Sequence, residues 1–184
     1  MRNLQIKSTI KIKKMTLTDY IRDIQDFPKP GINFKDITPL LNDPEARKEC
    51  LQLLVKSLGD QKIDKVVGVE SRGFFFGMLL AQELNVGFVP VRKPKKLPFS
   101  VLSASYELEY GSDTLEIHTD AIQKGEKILI HDDVLATGGT AKAVAELVEK
   151  LGGEIVQFNF LMELSFLKGR NKISQYETYS PLVY

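Results

Sequence analysis

Two adjacent carboxylates, Asp132 and Asp133, are separated by three residues from Thr137-Gly138-Gly139-Thr140. An apolar run, Ile128-Leu129-Ile130, leads into them, and Val144, Leu147, Val148 and Leu151 follow at the spacing of one helical face. A strand that ends in acids, turns on glycine and opens a helix suits a phosphate ester, because backbone N–H groups converge at the positive end of the helix. The helix dipole contributes only about 0.3–1 kcal/mol at an exposed site. Charge-assisted hydrogen bonds of about 1.5–3 kcal/mol each must therefore supply most of the binding. Ionised carboxylates accept hydrogen bonds from vicinal hydroxyls and favour a cationic centre forming beside them.

A second set of polar residues, Glu70-Ser71-Arg72-Gly73, follows a buried strand pattern from Ile63 to Val69. A helix from about Phe74 to Leu84 and a strand from Val86 to Val91 complete a βαβ unit, whose right-handed crossover implies a parallel sheet. Upstream, Leu17, Ile21 and Ile24 predict a short helix, and DFPKPGINFKDITPLL a structured loop. Asp43 is placed to cap a helix that starts at Pro44, buries Cys50, Leu51, Leu54, Val55 and Leu58, and stops at Gly59. Residues 92–112 show no firm core pattern, which predicts a functional loop. Leu115–Ile122 reads as a strand, EIVQFNFLM as another, and the terminal YSPLVY as strand-like. Alternating strands and helices predict an α/β fold with a mostly parallel, twisted sheet flanked by helices, and ligands at the carboxyl ends of the strands.

A chain of 184 residues with 43% hydrophobic and 27% charged residues is long enough for one core. The MRNLQIKSTIKIKK leader, residues 1–14, reads as a basic, mobile extension, and residues 15–184 as a single domain. Balanced charge, 25 basic against 24 acidic residues, gives no support to a nucleic-acid or membrane-surface role. The lone cysteine, Cys50, precludes an intrachain disulfide and fits a reducing, cytoplasmic setting. His118 and His131 form no plausible ligand pair, and His131 is read as a satisfied strand-end histidine.

The segment Ile130–Thr140, apolar residues, two acids and TGGT, resembles the phosphoribosyl-diphosphate (PRPP) motif of the type I phosphoribosyltransferases. DFPKPGINFKDITPLL, GVESRGFFFG, RKPKKLP…SYELEYG…LEIHTDAI and MELSFLKGR narrow the resemblance to the adenine phosphoribosyltransferase family, in order over roughly residues 17 to 170. The resemblance implies a type I fold, with a small hood from the N-terminal segment and a mobile loop over the active site. It implies transfer of a 5-phosphoribosyl group from PRPP to adenine, giving AMP and diphosphate. Asp132 and Asp133 would meet the ribose hydroxyls, and Ala136, Thr137, Gly138, Gly139 and Thr140 the 5-phosphate. Ser71 and Arg72 would face the diphosphate, with Arg92, Lys93 and Lys96 near it. Ile32, Asn33, Phe34 and Lys35 match the adenine pocket, Phe34 stacking on the base while main-chain groups read its edge, and Leu164 would close its other face. Glu109 matches a residue that manages a purine proton. The family also implies a homodimer and Mg²⁺ carried by the diphosphate, with no metal site built from protein alone. Many relatives have glycine where Lys95 stands. Transfer to another purine base, and a non-catalytic regulator on the same fold, are the alternatives.

Overall fold

The computed structural model describes residues 16–107 and 112–184, so the 1–14 extension and Glu109 lie outside the described residues. Two compact units divide the chain, Met1–Arg47 and Lys48–Tyr184.

In the first unit the helix expected over Leu17 to Ile24 is instead a single 3-10 turn, Leu17–Tyr20, followed by strand β1, Arg22–Ile24. β1 pairs antiparallel with β2, Phe34–Asp36. Cross-strand partners explain the change: Arg22 Nε donates to Asp36 Oδ2 at 3.1 Å, and Lys35 pairs with Asp23. Paired strands satisfy the backbone and align opposite charges, which outweighs a three-residue apolar periodicity. The structured loop thus contains β2 and a short helix α1, Thr38–Asn42. Helix α2, Pro44–Lys56, starts where the sequence placed it, with Asp43 Oδ1 accepting the Ala46 N–H at 2.8 Å.

The second unit is built on β3 (Lys65–Val69), α3 (Gly73–Leu84), β4 (Gly87–Val91), β5 (Val101–Glu107), β6 (Ser112–His118), β7 (Lys127–Leu135), α4 (Gly139–Lys150), β8 (Glu154–Glu163), β9 (Thr178–Tyr179) and β10 (Leu182–Val183). The main sheet runs β10-β8-β7-β3-β4, with β9 also on β8, and every pairing in it is parallel. Its near-continuous apolar strands are those of a sheet covered on both faces. Val144, Leu147 and Val148 of α4 are fully buried against Val67, Ile128, Ile130 and Phe158.

Residues 92–112 are less irregular than expected, because Val101–Glu107 is strand β5, paired antiparallel with β6. Ala104, Leu115 and Ile117 are buried in the core, with Leu102 and Tyr106 packed against it. Small alanine and serine residues weaken the period-two signal in VLSASYE, so the strand becomes visible only through what packs on it. A bridge between Arg92 and Glu116 ties the start of this segment to β6.

Candidate active site

Because β3 and β7 are adjacent parallel strands, the carboxyl end of β3 brings Arg72 and Gly73 beside Asp132 and Asp133, just before the Ala136–Thr140 loop. β7 extends through the two acids to Leu135 rather than ending before them. Successive strand residues project to opposite faces, so the two acids meet different surroundings. Asp132 lines a small cavity of about 60 Å³ with Ile130, Val134 and the Ala136–Thr140 loop. Asp133, only 4% exposed, lies 2.8 Å from Arg72 Nε through its Oδ2. That contact is an ion pair without aligned hydrogen-bond geometry, leaving Oδ2 without a hydrogen-bond partner.

Burial first, then repulsion from Asp133, pushes the Asp132 carboxyl well above the ordinary range. Burial also raises Asp133, against the pull of Arg72. Hydroxyl donors or a cationic centre arriving at this pair would relieve both effects.

The phosphate-type loop is shaped by Gly138, whose φ of +76° is a left-handed conformation that glycine adopts without steric cost. α4 then begins at Gly139, with its first bond from Lys142 N–H to Gly138 O at 3.0 Å. The preceding N–H groups have no acceptor inside the helix, and the loop that carries them lines the cavity. Thr140 Oγ1 donates to Tyr106 OH at 3.2 Å, and Tyr106 OH to Asp113 Oδ2 at 3.4 Å.

The Arg92 and Lys96 side chains and the Lys93 backbone N–H converge on one carboxylate, Glu70, while Lys93 Nζ lies 3.1 Å from Asp113 Oδ2. Arg92 Nε lies 3.3 Å from Oε2, Lys93 N–H donates to the same oxygen at 2.8 Å, and Lys96 Nζ lies 2.6 Å from Oε1. Burial works to raise the Glu70 carboxyl, but bonds from Lys96, Lys93 and Arg92 outweigh it and hold the group below its ordinary value. Ser71 is exposed at the start of the turn, joined to Glu70 by a cis peptide. Lys95 has φ +66°, and its N–H donates to Glu116 Oε2 at 3.0 Å. A left-handed backbone explains why glycine suits this position.

In the first unit, Phe34 is half-buried and meets Phe27 edge-on, with ring centroids 5.2 Å apart. Lys35 is turned to Asp23, while Ile32 and Asn33 are exposed. Ile32 N–H is already bonded to Lys29 O at 3.3 Å, and Ile32 O accepts from Phe27 N–H at 3.2 Å. Any main-chain reading of a base at Ile32 is therefore left to the second lone pair of its carbonyl. In the second unit, Leu164 is half-buried and donates its N–H to Leu135 O at 2.9 Å.

Sequence reasoning left Glu70 and Tyr106 without roles. An acid at a strand end facing a downstream basic run was a signal for the first; Tyr106 carried none, since its partner Thr140 is remote in the chain. His131 also differs from expectation. It is fully buried, with Nδ1 2.6 Å from Asn159 Oδ1, yet Nε2 has no partner.

A model of the phosphoribosyl transferase domain matches residues 36–178, which sets the class. The adenine phosphoribosyltransferase of Flavobacterium johnsoniae is 75% identical over 170 residues, spanning 92% of this chain and 100% of that protein. Among solved structures, the adenine phosphoribosyltransferase of Thermoanaerobacter pseudethanolicus superposes with a TM-score of 0.89 at 52% identity, covering 92% of this chain and 100% of that one. The Saccharomyces cerevisiae enzyme, complexed with an imino-altritol bisphosphate and adenine, gives 0.83 at 45% identity, covering 89% and 95%. This chain belongs to the adenine phosphoribosyltransferase family. The resemblance in its motifs and the type I fold both hold.

Proposed function

We propose that the chain transfers the 5-phosphoribosyl group of PRPP to N9 of adenine, forming AMP and diphosphate in purine salvage. The observation that carries this reading is the pair of polar loops on adjacent parallel strands, one a phosphate-type cradle and the other rimmed by cations, with an acid pair beside them. A ribose bearing phosphate at one end and diphosphate at the other has matching chemistry. The yeast relative's bisphosphate and adenine are of the same ligand classes.

In this reading Ala136–Thr140 holds the 5-phosphate, and Asp132 and Asp133 accept the ribose hydroxyls. Ser71, Arg72, Arg92, Lys93 and Lys96 receive the diphosphate. As the C1–diphosphate bond breaks, positive charge grows at C1, where the acids stabilise it and N9 bonds. The N9 proton leaves with Glu109 as its proposed acceptor. Ile32, Asn33, Phe34, Lys35 and Leu164 remain the proposed base contacts, and the 92–112 segment the proposed loop that excludes water, which would otherwise capture C1.

The donor set suits a Mg²⁺ ion that arrives on the diphosphate. This ion readily keeps substrate oxygens and waters as ligands. Bound there, it would neutralise charge on the leaving group. We further propose a single catalytic domain over residues 15–184 and a homodimer, supported by α3, which exposes half of Phe75 and Met78. Cytoplasmic placement agrees with the free, buried thiol of Cys50. No helix among the described residues is long and apolar enough to cross a membrane.

The test is an assay of purified protein with Mg²⁺, PRPP and labelled adenine. AMP and diphosphate in equal amounts are expected; absence of AMP, or preference for a 6-oxopurine, overturns the assignment.

A further inference from the structure

The segment after β8 makes an unusually close approach to the phosphate-type loop. A Cβ built on Gly169 would lie 2.2 Å from Ala136 O, and one built on Gly138 would lie 2.3 Å from Gly169 O. The two backbones are thus in contact from both sides, with no room for a side chain at either position. What presses Gly169 there is visible in its flanks. Arg170, the next residue, places Nε 2.6 Å from Glu163 Oε2 and donates from a terminal guanidinium nitrogen to Thr178 O at 2.8 Å. Glu163 is 5% exposed and stands opposite Leu135 in the β7–β8 register, one residue before the loop begins. Leu164 N–H donates to Leu135 O, and Ile173 is buried in the core beside α4. The chain from Leu164 to Ile173 is therefore fastened at both ends and tied between them by an ion pair whose carboxylate is buried and whose guanidinium is 43% exposed.

We infer that Glu163, Arg170 and Gly169 are positioning residues that form a rigid wall behind Ala136–Gly138, holding the loop in the conformation that directs its N–H groups at a phosphate. None of the three touches the ligand in this arrangement. Their effect is to remove loop freedom that binding would otherwise have to freeze. A one-sided ion pair would not do this as well: the guanidinium is planar and satisfies Glu163 and Thr178 together, which a lysine ammonium cannot reproduce in the same geometry.

This inference rests on the reading that Ala136–Thr140 holds the sugar 5-phosphate. The test is calorimetric titration with ribose 5-phosphate and, separately, with Mg²⁺-diphosphate, for the wild type, Gly169→Ala, Arg170→Met, Arg170→Lys and Thr140→Val. Gly169→Ala and Arg170→Met are expected to weaken ribose 5-phosphate at least tenfold while diphosphate stays within twofold, with Arg170→Lys intermediate. A general loss of fold would weaken both ligands alike, and that result, or unchanged ribose 5-phosphate affinity, overturns the inference. Arg170→Met adds nothing at the tight contact, so it carries the test if Gly169→Ala does not fold. Loss in Thr140→Val without loss in the wall variants refutes the wall alone. Retention in Thr140→Val as well refutes the reading of the loop.

Discussion

Fully buried beneath the acid pair, His131 makes acid sensitivity measurable as one group's contribution. Its Nδ1 meets an amide oxygen of Asn159, so Nδ1 carries the proton and Nε2 has only a lone pair with no donor. Burial, only partly opposed by the Asn159 bonds, lowers its pKa from 6.5 to about 4. The folded state thus binds fewer protons than the unfolded state between these values, and stability falls as pH drops through that window. The contribution is complete above pH 6.5, is reduced by about 2 kcal/mol near pH 5, and by about 3 kcal/mol once pH is below 4. Asp132 and Asp133 act in the opposite sense: their raised values favour the fold at low pH and weaken it as pH rises. A comparison at each pH with His131→Phe removes their contribution, along with the constant cost of leaving Asn159 unpaired. Urea unfolding at about pH 7.5 and about pH 5 should show the wild type losing about 2 kcal/mol relative to the variant. A difference that stays flat over this range would refute the assignment of a buried, neutral imidazole.

Asp133→Asn should lower turnover by about 10²–10³-fold while adenine affinity changes far less, because its charge is proposed to act on the transition state. Steady-state kinetics with adenine titration checks this, and equal losses in both contradict it. Lys95→Gly should raise stability by up to about 1 kcal/mol in urea melts, since φ +66° is left-handed; a loss would show that the lysine side chain outweighs the backbone cost. Cys50 has no exposed surface, and burial with help from the Glu49 charge pushes its thiol to about 12. An aromatic disulfide reagent should therefore label it only after unfolding, and fast labelling of native protein would be the contrary result.

Much of the candidate site's local geometry was legible because its signals are local. TGGT after two acids, and ESRG at the end of an apolar strand, need only a turn and a helix start to acquire their geometry, and short-range backbone preferences supply both. Asp43-Pro44 likewise located the start of α2. Leu17, Ile21 and Ile24 misled because a helix and a strand compete for so short a stretch, and the partner strand that decides between them lies a dozen residues away. VLSASYE hid a strand for the same reason: its buried face is defined by α4 and the core, not by its own composition.

The sequence by itself determined the class of ligand, because consecutive residues create the phosphate-type cradle and its acids. Only the tertiary structure decided what each of those residues faces. Strand alternation sends Asp132 to the cavity and Asp133 to Arg72, Glu70 collects cations from a segment more than twenty residues away, and Gly169 braces a loop it follows by about thirty. Contacts such as these depend on parallel strands meeting in register, and no local pattern in the chain records which strands meet.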